Sequence, residues 1–160
     1  MTAAASGRTD RAERLIHATP EVLWQAWADP VSLARWLPPT GMTGHIAALD
    51  LRPGGAFDMV LTYTDASAAP GKASADSDRV AARFTTVNAP HALAFDASFP
   101  SDDPAYAGTM RMTWRFDATP QGTRVSITAD NVPPGISAAD HQTGLTASLH
   151  HLAAFTQTRP

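Results

Sequence analysis

At 160 residues the chain is long enough for one domain with a single core and an internal hollow, and too short for two. Its 44% hydrophobic and 17% charged residues exclude wholesale disorder, and a net charge of -3 with no Lys/Arg cluster excludes a polyanionic partner such as nucleic acid. The absence of cysteine excludes disulfides, thiolate nucleophiles and thiolate metal sites, and no apolar run approaches the length of a bilayer span.

Residues 1–10 lack the apolar core of a signal peptide and read as a short disordered lead-in, which makes the cytoplasm the expected compartment. A single domain is expected over residues 11–158. The segment Arg11 to His17 reads as a strand. Thr19-Pro20-Glu21 then supplies a hydroxyl N-cap, a proline at the first helical position and an acid in the first turn. The helix that follows carries Val22, Leu23, Ala26 and Trp27. Asp29-Pro30 repeats the start signal, and Leu33, Trp36 and Leu37 give a second short helix one apolar face before Pro38-Pro39 ends it.

From Gly44 the period changes to two. A strand is expected from Gly44 to Leu51, and "RPGG" turns it into Phe57, Met59, Leu61 and Tyr63. Alternation returns in Val80, Ala82 and Phe84; in Leu93, Phe95, Ala97 and Phe99; in Met110, Met112, Trp114 and Phe116; and in Val125, Ile127 and Ala129. Charged residues occupy many of the intervening positions, which is the pattern of an antiparallel sheet covered on one face. The polar stretch at 64–77 reads as a long mobile loop, and the loop at 100–108 carries one aromatic, Tyr106.

The last helix starts near Ser137, with Asp140 in the capping-box position. At about 100° per residue, Leu145, Leu149, Leu152 and Phe155 share a stripe with His141, Gly144 and Ser148. His150 falls opposite that stripe and His151 on its flank, so the three histidines do not converge on a metal ion. No metal or cofactor is expected. The sequence has no phosphate-binding loop, dinucleotide fingerprint, serine elbow or HExxH motif.

These elements predict an α+β fold: a curved antiparallel sheet of about six or seven strands wrapped around one long C-terminal helix, with two short helices after the first strand. The stretches "ATPEVLWQAWADPVSLARWLPP", "LDLRPGGAFDM", "GTMRMTWRF", "GTRVSITADNVP" and "ISAADHQTGLTASLHHLAAF" resemble the START-like SRPBCC superfamily, which has the helix-grip fold. Within it they resemble the subgroup named for the heat-shock-chaperone ATPase activator, over Arg11 to Phe155. The superfamily includes lipid carriers, hormone receptors and aromatase/cyclases. The resemblance therefore implies a cavity for a small, largely apolar molecule between sheet and helix.

On that expectation His141, Gly144, Leu145 and Ser148 line the cavity from the helix. Trp36, Met59, Tyr63, Phe95, Met110, Met112 and Trp114 line it from the opposite side, and the three methionines suit guests of differing shape. Trp27, Phe84 and Phe99 share the inward phase and read as core. His141 is the foremost polar anchor, and His141 or Tyr63 would move a proton if the protein were a cyclase or dehydratase acting on a polyketide-like or aromatic substrate. Asn131 reads as structural, and His45 has an ambiguous inward phase. Asp102 and Asp103 read as solvated, and Tyr106 as a lid. Regulation of a chaperone ranks third, because the eukaryotic activators use a separate upstream domain for stimulation. No nucleic-acid or membrane partner is expected.

Overall fold

The computed structural model describes residues 8–39, 41–63, 77–98, 103–106 and 108–157. The elements run β1 (Asp10–Ile16), α1 (Pro20–Ala28), α2 (Pro30–Trp36), β2 (Met42–Leu49), β3 (Ala56–Tyr63), β4 (Ser77–Asn88), β5 (Ala92–Ser98), β6 (Thr109–Thr119), β7 (Gly122–Asp130) and α3 (Ala138–Gln157). A 3-10 turn lies at Pro104–Tyr106. Of the predicted loop at 64–77, Ser77 opens β4 and residues 64–76, like Phe99 and Asp102, lie outside the described residues.

The seven strands form one antiparallel sheet in the order β1-β7-β6-β5-β4-β3-β2, curled into a half-barrel. From β2 to β7 each strand pairs with its neighbour in sequence, whereas β1 pairs with β7, so β1 and β2 are the two edges. The α1–α2 segment must therefore carry the chain from one edge to the other. Its capping chemistry fits that task. Thr19 Oγ1 accepts from the Val22 amide at 3.3 Å, and Asp29 accepts from the Val31 amide at 3.2 Å and the Ser32 hydroxyl at 2.9 Å. The backbone N–H of Asp29 also closes α1 on Gln25, so one residue ends the first helix and starts the second.

Two inward assignments change. Helix α1 buries Leu23, Trp24, Ala26 and Trp27, and Val22 is exposed. In a helix this short the burying arc is set by the neighbours that tertiary packing supplies, and Trp24 meets Phe116 edge-on at 6.1 Å. In β2 the inward phase belongs to Met42, Gly44 and Ile46, so His45 is exposed on the outer face. A register shift between Ile46 and Ala48 returns Leu49 to the inner side, which is why Leu49 and Leu51 suggested the opposite phase. A Cβ on Gly44 would sit 2.6 Å from Pro38 Cγ, so the proline that ends the α2 segment rests directly on this strand.

The core is aromatic at its centre. Trp27 packs against Trp36, Phe57, Phe95 and Trp114 with ring centroids 5.8, 5.6, 6.0 and 5.4 Å away, three of the four contacts edge-on. Edge-on pairing directs positive ring edges at negative faces and adds to area burial. Trp36 also donates its indole N–H to Ala26 O at 2.9 Å, which fixes α2 against α1.

Candidate functional site

The concave face of the sheet is continuous across its register. Phe84 lies opposite Phe95, which lies opposite Met112, then Ala129 and Asp10; alongside it run Ala82, Ala97 and Met110. Ala82, Ala97, Phe95, Met110 and Ala129 are buried and Met112 is half-buried. Met59 and Leu61 of β3 are buried beneath Pro38. Helix α3 covers this face unevenly. Its second half buries Leu149, Leu152, Ala153 and Thr156, whereas its first half buries only Leu145. The aromatic hub is built on Trp27 of α1 and Trp36 of α2, and Met110, Met112 and Ala129 cluster with Ile136 just before α3.

His141 stands one turn before Leu145 on that first half. Its Nδ1 lies 2.8 Å from Oδ2 of Asp10, whose position in β1 is registered with Ala129. Arg8 grips the same carboxylate with two bonds, Nε to Oδ1 at 3.1 Å and Nη2 to Oδ2 at 3.0 Å, and Nη2 also donates to Ile136 O at 2.6 Å. The side chains of His141 and Asp10 are 13% and 9% exposed, low enough for these bonds to be shielded from water. Burial pushes the Asp10 carboxyl up, but the hydrogen bonds and charges of Arg8 and His141 outweigh it and hold the group below the usual carboxylate range. Beside the network lies a small apolar cluster of Met110, Ala129 and Val132, with Met112 and Ile136 packed on it.

Arg8 and Asp10 were assigned from the sequence to the disordered lead-in, yet Asp10 opens β1 and Arg8 ties it to the turn before α3. The signal was present: stepping back by two from Ile16 through Arg14 and Ala12 reaches Asp10, an acid on the inward phase of an edge strand. Trp27, plain core by its inward phase, is fully buried, and among the described residues its indole Nε1 has no hydrogen-bond partner.

The other sequence-selected residues are distributed as follows. Leu145, Met59, Phe95, Met110, Trp36 and Trp114 are buried on the inner side, and Met112 and Ser148 are half-buried. Trp36 also borders an open groove of ≈ 440 Å³ with Met42 and Phe155. Gly144 is exposed, and a Cβ there would meet nothing within 4 Å among the described residues, so it does not serve the close approach of a described strand. The backbone of Tyr63 pairs with Met42 at the end of β3, and its side chain lies outside the described residues. His141 and Tyr63 are thus not brought together by any described contact. Asn131, at positive φ, donates to Thr109 O at 2.7 Å and joins the end of β7 to the start of β6. Asp103 accepts from the Ala105 amide at 2.9 Å, and the Tyr106 ring lies against Gly135 in the turn before α3. His150 is exposed and its ring centroid lies 6.2 Å from that of His151; among the described residues no group of His, Asp and Glu has metal-binding geometry.

The family model described as Activator of Hsp90 ATPase homolog 1-like protein matches residues 17–157. No curated protein matches the chain. Among solved structures, a protein of Chromobacterium violaceum superposes with a TM-score of 0.81 at 28% identity, covering 94% of this chain and 98% of its own. An AHSA1-like protein of Aeromonas hydrophila gives a TM-score of 0.72 at 26% identity, covering 94% and 92%. A protein of Rhodobacter sphaeroides shares the fold, with a TM-score of 0.76 at 21% identity over 94% and 92% of the two chains. With the half-barrel, its gripped helix and a match over most of the length, the chain belongs to the Activator of Hsp90 ATPase homolog 1-like family, within the SRPBCC superfamily.

Proposed function

We propose that this protein is a cytoplasmic binding protein for a small hydrophobic or aromatic molecule, held between the concave face of the sheet and the first half of α3, with His141 as the polar anchor. The observation that carries this reading is the uneven cover of the sheet. A continuous apolar face runs beneath a helix whose first half contributes one buried apolar side chain. Small and flexible side chains, Ala129, Met110 and Met112, cluster with Ile136 at the start of that helix, and such a lining adapts to a guest. The fold family commonly binds hydrophobic ligands, which supports the same reading.

The test is native mass spectrometry of the purified protein followed by a thermal-shift screen of lipids and aromatic metabolites. Co-purification of a small apolar molecule, or a rise in melting temperature that saturates with concentration, is the expected result. A protein that carries nothing and is stabilised by nothing in the screen contradicts the reading.

A second reading is an enzyme of the cyclase or dehydratase kind, and the Asp10–His141 bond favours it because a carboxylate-held imidazole is the usual form of a general base. The two readings separate in His141→Ala. Turnover that collapses in the variant with little change in affinity identifies the enzyme, and loss of affinity in a protein that shows no turnover identifies binding alone. Chaperone regulation gains no comparable support. Among the described residues the large exposed apolar side chains are Leu15, Val22 and Val31, set on three different elements.

A further inference from the structure

We infer that Asp10 is a positioning residue that fixes the His141 ring with Nε2 as a hydrogen-bond acceptor at the rim of the concave face, and that the guest meets it with a phenolic hydroxyl. This rests on the binding reading above and specifies the class of molecule. An ionised carboxylate only accepts hydrogen bonds, so the 2.8 Å contact between Asp10 Oδ2 and His141 Nδ1 requires the proton on Nδ1. Arg8 keeps the carboxylate ionised and aimed, through two bonds to it and a third to Ile136 O that ties the whole group to the turn before α3. A neutral imidazole carries one N–H, so with Nδ1 protonated Nε2 presents its lone pair.

No described group bonds that nitrogen, while the ring as a whole is 13% exposed and the network borders the Met110, Ala129 and Val132 cluster. An Nε2 that carries only a lone pair selects against an ether or carbonyl oxygen and in favour of an O–H donor. The aromatic rings deeper in the same interior, Phe95 and Trp114, suit an aromatic body behind that hydroxyl. A weakly acidic phenol makes a stronger bond to imidazole than an aliphatic alcohol does.

Two measurements on the full chain test this. The first is the long-range 1H–15N spectrum of the 15N-labelled histidine rings at a pH where they are neutral. His141 is expected in the Nδ1–H form, and Asp10→Asn, whose amide can donate to Nδ1, is expected to convert it to the Nε2–H form while leaving the other rings unchanged. The second compares binding of 2-naphthol with 2-methoxynaphthalene, which keeps the rings and loses the donor. The naphthol is expected to bind about tenfold tighter, an advantage lost in His141→Ala and reduced in Asp10→Asn, with affinity for the ether unchanged. An Nε2–H ring in the unaltered protein, or equal affinity for the two naphthalenes, overturns the inference and leaves hydrophobic binding standing. Failure of both naphthalenes to bind overturns the inference and counts against the binding reading as well. The spectrum and the probe pair on the unaltered protein decide the matter even if either variant fails to fold.

Discussion

Trp27 and Trp36 are buried to nearly the same degree, yet among the described residues Trp36 has an acceptor for its indole N–H and Trp27 has none. Phenylalanine in place of either removes similar volume, so the two costs differ chiefly by one hydrogen bond. Trp36→Phe is expected to lose about 1 kcal/mol more than Trp27→Phe in chemical denaturation, and equal losses would mean that the Ala26 bond contributes nothing net. At Asp10 the sign of the pH dependence is fixed by its lowered pKa. A carboxyl with a depressed folded value adds stability that is present above its unfolded value and disappears as pH falls through the folded one. Unfolding free energy is therefore expected to decline below about pH 4, and Asp10→Asn should flatten that decline. An acid limb that is as steep in the variant would place its origin elsewhere. Of this network the sequence displays His141 through helical periodicity and Asp10 through the alternation that leads back from Ile16, whereas Arg8 stands before the strand, where no periodicity reaches it. The lone N–H of Trp27 was invisible for a different reason, since it depends on which rings surround it after folding.

The helices and strands were more legible than their contents. Thr19-Pro20 and Asp29-Pro30 announced α1 and α2 because capping uses residues adjacent in sequence, and period-two alternation announced β3 to β7 because one face of the sheet is covered. What misled was local irregularity: a bulge in β2 exchanged the faces of His45 and Leu49, and the nine residues of α1 were too few to fix which side turns inward. Asp29 serves two helices, and Asp29→Ala is expected to cost about 1 kcal/mol or somewhat more, measurable by urea denaturation; no change would show that water replaces both cap bonds. Helix α3 offers a sharper comparison. Leu152 sits in the closed half and Leu145 in the half proposed to hold a guest. Leu152→Ala is expected to cost about 3 kcal/mol, and Leu145→Ala distinctly less, because a cavity beside open space adds little to the one already there. Equal costs would mean that both halves of the helix are packed alike.

On the scale of the whole molecule, the fold follows from one geometric requirement. Seven strands with one apolar face need a cover; placing β1 and β2 at opposite edges sends α1 and α2 across the half-barrel, and α3 closes what remains. The aromatic residues concentrate around Trp27 of α1 and Trp36 of α2, and small and flexible side chains, Ala129, Met110 and Met112, stand by the start of α3. The chain has five methionines, and Met59, Met110 and Met112 stand on the inner face of β3 and β6. Selective 13C-methyl labelling of methionine turns them into probes of the interior, and titration with 2-naphthol measures directly whether that interior takes a guest. Saturable shifts in the Met110 and Met112 methyls, larger than any at Met42, are the result expected of a ligand held beneath α3. Unmoved interior methyls up to the solubility limit of the naphthol and of every apolar compound that raises the melting temperature would contradict a binding site there.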